Sequence, residues 1–151
     1  MPGELRTEWL YDLRATIDMD NIHEIGDAGA GRRMIYPITG GRVEGPHICG
    51  DVLPFGADFA VQRTDGVAVL DVRALLRTDD GAEIYAFYPG YVHQQSLGPF
   101  GDLPAGENYF RTTPRFETSS EKYAWLNRII AVGVGWGEPP NVVAYKVYAV
   151  L

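Results

Sequence analysis

Two Asp-Gly turns, each set between runs that alternate apolar and polar residues, constrain this chain more than any other feature. Ala68, Leu70, Val72, Ala74 and Leu76 share one parity, and Asp71, Arg73 and Arg77 share the other. That is the period of a strand with one buried face. Thr64-Asp65-Gly66 precedes the run and Thr78-Asp79-Asp80-Gly81 follows it. Asp-Gly supplies the positive φ of a tight hairpin, so the neighbouring segments 58–63 and 83–88 are expected to pair with it as antiparallel strands.

The same period recurs along the chain. Trp9, Tyr11, Leu13, Ala15 and Ile17 alternate with Leu10, Asp12, Arg14, Thr16 and Asp18. Residues 26–31 form a glycine-rich stretch without the Lys and Ser/Thr of a phosphate loop, and no helical pattern follows, so a turn is expected there. Residues 33–39 read as a strand that Gly40-Gly41 should end. Residues 43–52 follow, with a bend or bulge signalled by Gly45, Pro46 and Gly50. Residues 109–116, 128–135 and 142–150 bring the tally to about nine strands. Residues 89–108 are the longest connection, and a connection of that length suits a lid or binding loop. Thr118-Ser119-Ser120-Glu121 has the form of a helix capping box and predicts one short helix through about Asn127.

The 18 glycines and 10 prolines would break a helical bundle, whereas short strands and turns accommodate them. The expectation is all-β: one antiparallel barrel over residues 1–151 with one short helix, since closure removes exposed strand edges. A net charge of −7 disfavours nucleic acid, whose phosphates need a basic face, and disfavours binding to an anionic membrane. Cys49 is the single cysteine, so no internal disulfide can form. It is expected to be a small buried hydrophobe, with His47 on the same strand face as a conceivable base. Glu4, Arg6 and Glu8 interrupt any signal-like start, and the nearly apolar run 129–136 is too short to span a bilayer. Both point to the cytoplasm.

Several runs carry a resemblance. They are Ile38-Thr39-Gly40-Gly41, Glu44-Gly45-Pro46, Gly50-Asp51-Val52-Leu53-Pro54 and Gly56-Ala57-Asp58-Phe59, then Arg77-Thr78-Asp79-Asp80-Gly81 with Ile84-Tyr85. The segments 109–118 and 123–128 and the closing Val147-Tyr148 continue it in order. Together these resemble the domain-of-unknown-function 3237 family, also called the uncharacterised protein family 0311. The resemblance implies a single β-barrel of lipocalin-like (calycin) type. It implies no family-wide catalytic residues.

The three histidines, His23, His47 and His93, lack metal-ligand spacing. There is no Gly-x-Ser-x-Gly elbow and no dinucleotide fingerprint. Neither a metal nor another cofactor is therefore expected. Candidate chemistry falls to polar residues on otherwise apolar strands. Asp58, His93 and Arg111 are the candidate catalytic residues, with Tyr85, Trp125, Glu117 and Asn127 as binding residues around the same cavity. Asp58 follows Gly56-Ala57 near the expected barrel mouth, and burial there would raise its pKa toward neutrality. His93 sits in the long connection, where an imidazole could swing over the opening. Arg111 lies between Phe110 and Thr112, so a buried guanidinium would need Asp58, Glu117 or an anionic ligand as partner. Each also has a structural role open to it: a turn cap for Asp58, a buttress of the barrel end for Arg111 and Glu117. Trp9, Tyr11, Tyr85, Phe87, Tyr88, Tyr91, Phe110 and Trp125 suffice to line a pocket for a hydrophobic or aromatic small molecule.

Two functions follow. One is a cofactor-free isomerase, cyclase or lyase that moves a proton on an aromatic or polyketide-like carbonyl compound. The other is a carrier of a hydrophobic molecule. Several titratable groups converging on one cavity would favour the enzyme, and a uniformly apolar cavity the carrier. Two-fold dimers are the commonest assembly, and a barrel wall offers a surface for one. Sedimentation at high concentration should show a homodimer; a monomer would refute it.

Overall fold

The computed structural model describes residues 2–93 and 108–151. Its strands are β1 (Thr7–Ile17), β2 (His23–Asp27), β3 (Arg32–Glu44), β4 (Cys49–Gln62) and β5 (Val67–Thr78), then β6 (Glu83–His93), β7 (Phe110–Thr112), β8 (Arg115–Glu117), β9 (Ile130–Glu138) and β10 (Val142–Val150). All pairings are antiparallel. The order β1-β10-β9-β7-β6-β5-β4-β3 returns to β1 through a β1–β3 pairing, so eight strands close a barrel. β2 lies outside the ring as a hairpin partner of β3. β7 and β8 run along β6 as one strand interrupted at Thr113-Pro114, where proline cannot donate to a ladder.

Both Asp-Gly turns form, with Gly66 at φ 86° and Gly81 at φ 93°. The second also anchors the closed end. Asp79 takes a two-pronged bond from Arg42, both arms 2.7 Å. Asp80 accepts from Lys122 (2.7 Å), Tyr123 (2.9 Å) and Thr78 (2.6 Å), which pins the segment before β9 across the barrel end. Those donors hold the Asp80 carboxyl well below its ordinary pKa. Beneath them Leu10, Tyr11, Phe116, Tyr123 and Leu126 are buried, with Tyr11 and Phe116 edge-to-face at 6.2 Å.

Three expectations about elements change. Gly40-Gly41 does not end β3, which continues to Glu44. A Cβ on Gly41 would lie 2.1 Å from the Arg14 carbonyl oxygen, so the glycine is what lets β3 come against β1 and close the ring. The capping box does not start an α-helix. Thr118 Oγ1 instead donates to the Glu83 carbonyl, and one 3-10 turn spans Ala124–Arg128. Pro89 to His93 belong to β6; residues 94–107, where the rest of the expected lid falls, lie outside the described residues. Among the described residues no helix is long and apolar enough to cross a membrane.

Gly41→Ala should cost roughly 2 kcal/mol or more, since neither strand backbone can retreat without breaking closure. Urea unfolding measures it, and an unchanged midpoint would refute the role given to Gly41.

Candidate functional site

β4 carries the one charged side chain that is buried among the described residues. Between the pairs Val52↔Leu76 and Gly56↔Ala74, β4 advances by two residues more than β5. Two is an even number, so the bulge keeps parity: Asp58 points inward as Val52 does. Asp58 is 7% exposed, and apart from it only Thr78 and Thr112 are buried polar residues.

Asp58 lines a narrow cavity of about 40 Å³ in the half of the barrel away from the 3-10 turn. The wall is otherwise aliphatic, including Leu13, Ile38, Leu70, Val72 and Val143, with Phe110 and three tyrosines, Tyr36, Tyr88 and Tyr145. Tyr88 and Tyr145 meet edge-to-face at 5.6 Å, and their hydroxyls hydrogen-bond. Tyr36 donates to Met34 Sδ at 3.6 Å. Space of this size holds only a few waters, so a drug-sized ligand requires side chains at the mouth to rotate.

Burial pushes the Asp58 carboxyl up from 3.8 to about 7. The nearby Asp71 carboxylate pushes the same way; the Asp71 amide, donating at 3.0 Å, and the Arg33 charge oppose it. Burial also raises all three tyrosines, Tyr36 to about 12, and Asp58 adds to each. At neutral pH the tyrosines are therefore neutral donors around a carboxyl poised between its two forms.

Of the seven candidate catalytic and binding residues only Asp58 reaches this cavity, and of the aromatic residues expected to line it Tyr88 and Phe110 do. Tyr85 faces outward because Ile84 and Ala86 take the inward slots of β6; it stacks on Phe87 at 4.9 Å and accepts a 2.9 Å bond from Arg73. Arg111 faces outward because Phe110 and Thr112 point in. Its guanidinium bonds the Phe110 carbonyl at 3.0 Å and lies 5.1 Å from the centroid of the Tyr109 ring, not against Asp58 or Glu117. His93 ends β6, exposed, stacked on Tyr109 at 4.5 Å. Glu117 is exposed and stands opposite Tyr85 in register. Asn127 pins Thr118, accepting its amide at 2.8 Å and donating to its carbonyl at 2.9 Å. Trp125 sits at the opposite, closed end, 6.4 Å from the His47 ring, lining a separate cleft. Cys49 is exposed rather than buried; its thiol donates to the Gly45 carbonyl, while His47 turns to Glu8. Tyr36 and Tyr145 were not singled out, although Tyr36 shares parity with Met34 and Ile38, and Tyr145 with Val143 and Val147. Among the described residues no three His, Cys, Asp or Glu side chains group to hold a metal.

A closed barrel whose apolar interior holds one carboxyl and a set of tyrosine hydroxyls defines a small β-barrel with an internal polar site. The chain belongs to the family described as protein of unknown function DUF3237, whose profile matches residues 6–150. It is 38% identical over 142 residues to a UPF0311 protein of Rhodopseudomonas palustris, covering 88% of this chain and 89% of that one. The barrel superposes on a solved β-barrel-like protein of Acinetobacter baumannii with a TM-score of 0.86, at 34% identity, over 100% of this chain and 99% of the other. It is 30% identical over 141 residues to the hydroalkoxylation enzyme phnH of Penicillium herquei, covering 93% and 78% of the two chains.

Stability should report the Asp58 environment. A carboxyl with a raised folded pKa keeps its proton in the folded state while the unfolded chain loses it. Stability then falls as pH rises from 3.8 to about 7 and stays low above. Asp58→Asn keeps an acceptor for the Asp71 amide and removes this loss. Above pH 7 it should be more stable than the parent by roughly 2–4 kcal/mol, with the difference vanishing in acid. Thermal unfolding across pH tests this; parallel curves would refute it.

Proposed function

We propose that this chain is a cofactor-independent enzyme that moves a proton within a largely apolar carbonyl compound, and that intramolecular addition of a hydroxyl to a conjugated alkene fits it best. The observation that carries the reading is Asp58, a carboxyl raised to about 7 inside an apolar barrel and ringed by neutral tyrosines. The phnH relative supports the reaction class, since hydroalkoxylation adds an O–H across a C=C bond.

The steps balance without a further reactant. The Asp58 carboxylate takes the proton of the substrate hydroxyl, and the oxygen bonds to the β-carbon of the enone. The alkene electron pair moves to the carbonyl oxygen, giving an enolate. Tyr88 and Tyr145, whose hydroxyls hydrogen-bond to each other, leave one O–H to donate to that oxyanion, and the raised pKa of both keeps them protonated. Protonated Asp58 then returns its proton to the α-carbon, closing the cycle. A pKa near the working pH suits both halves of this exchange. The narrow aliphatic wall keeps out water that would compete with the internal hydroxyl.

An ortho-hydroxychalcone, which carries a phenol and a conjugated alkene on one carbonyl, is a suitable probe. The protein should cyclise it faster than buffer and with excess of one enantiomer. Asp58→Asn should lose about 100-fold or more of that rate. Replacing whichever of Tyr88 and Tyr145 donates to the oxyanion by Phe should lose about 100-fold of the rate. Chalcone held stoichiometrically but recovered unchanged would instead indicate a carrier.

A further inference from the structure

The β4–β5 ladder lapses beside Asp58. Pairing runs as far as Asp58↔Val72 and resumes at Val61↔Val69, so Phe59 and Asp71, which would oppose each other, are unpaired. In a closed ladder the Asp71 amide would donate to the Phe59 carbonyl. Here it donates to Asp58 Oδ1 at 3.0 Å. The Phe59 carbonyl accepts instead from Arg33 Nη1 at 2.7 Å. Arg33 stands opposite Val61 on the β3–β4 ladder, with parity outward from buried Met34. A carboxyl from inside the barrel and a guanidinium from outside it thus fill one gap in the wall.

We propose that Arg33 is a positioning residue for Asp58: by occupying the Phe59 carbonyl it holds the β4–β5 seam open, which leaves the Asp71 amide to fix the Asp58 carboxyl in the cavity. The inference rests on the reading of Asp58 as the proton-transfer group. Without the guanidinium, the Phe59 carbonyl reclaims the Asp71 amide, and Asp58 loses the backbone hydrogen bond that fixes its carboxyl among the described residues. The groups facing Asp58 come from every packed element. They are Tyr36 and Arg33 on β3, Asp71 on β5, Tyr88 on β6 and Tyr145 on β10. Arg33 is the cation among them. Asp71 presents an exposed carboxylate that lies 3.7 Å from Arg73. Removing Arg33 therefore acts on Asp58 twice in the same direction, through lost charge and through a lost amide bond, and both favour the protonated carboxyl.

The experiment follows the carboxyl carbon resonance of Asp58 and the amide resonance of Asp71 by NMR across pH, in the full chain and in Arg33→Gln and Arg33→Lys. In the parent, the Asp71 amide should titrate with the Asp58 midpoint, because the two are hydrogen-bonded. In Arg33→Gln the Asp58 midpoint should rise by roughly one pH unit, and the Asp71 amide should stop following it. Arg33→Lys keeps a charge and a donor and should behave as the parent does. A folded Arg33→Gln with both titrations unchanged overturns the proposal. Should Arg33→Gln not fold, a folded Arg33→Lys that loses the coupling overturns it equally, and one that keeps it supports it. Neither readout needs turnover, so a chain that cyclises nothing still returns an answer about Arg33.

Discussion

The pairing of β1 with both β10 and β3 is what the rest of the molecule depends on. An open sheet would leave two edges and two wet faces; closure leaves one dry interior. It is achieved at a tight crossing. Gly41 lies so close to the β1 backbone that any side chain there would meet the Arg14 carbonyl. With the ring shut, inward parity becomes burial on every strand, and a single polar residue on that parity carries a large electrostatic consequence. One end of the interior is filled by Tyr11, Phe116, Tyr123 and Leu126 and tied by Asp80, which confines the cavity to the other half.

Against that background Asp58 is costly and specific. A carboxyl placed among aliphatic side chains is pushed toward neutrality by lost hydration, and one backbone amide with one outlying guanidinium only partly offsets this. The wall yields where the carboxyl sits: the ladder opens for a stretch, and its two freed polar groups find Asp58 and Arg33. Buried backbone groups are thus satisfied, as they must be. The same feature accounts for the local irregularity of the sheet and for the acid–base character of the pocket.

The fold was legible because its signals are local. Alternation and two Asp-Gly turns specify strands and hairpins without reference to the rest of the chain, and the order of those hairpins leaves few ways to close. Asp58 was legible too, as a charge that follows Gly56-Ala57 at the start of an otherwise apolar run. Tyr88 and Phe110 were legible as lining aromatics, and the other candidates were not, for physical reasons. Tyr85 and Arg111 share strands with buried neighbours, but their parity is the outward one, and the inward slots beside them are taken by Ile84, Ala86, Phe110 and Thr112. They are polar residues on apolar strands, and their parity turns them to the outside. Tyr36 and Tyr145 were passed over because a tyrosine among hydrophobic residues reads as packing, and only the assembled ring shows their field reaching one carboxyl. Thr118-Ser119-Ser120-Glu121 has the letters of a cap, yet Thr118 is claimed by the Glu83 carbonyl, a partner far along the chain.

The fold is shared with a solved β-barrel-like protein of Acinetobacter baumannii, and one fungal relative is a hydroalkoxylation enzyme. Near neutral pH the Asp58 proton is held inside the barrel. Infrared difference spectroscopy of the parent chain against Asp58→Asn reads that proton directly, through the carbonyl stretch of a protonated carboxyl. The band should be present in the parent, missing from the variant, and lost as pH rises through about 7. A band that disappears at the ordinary carboxylate value of 3.8 would contradict it.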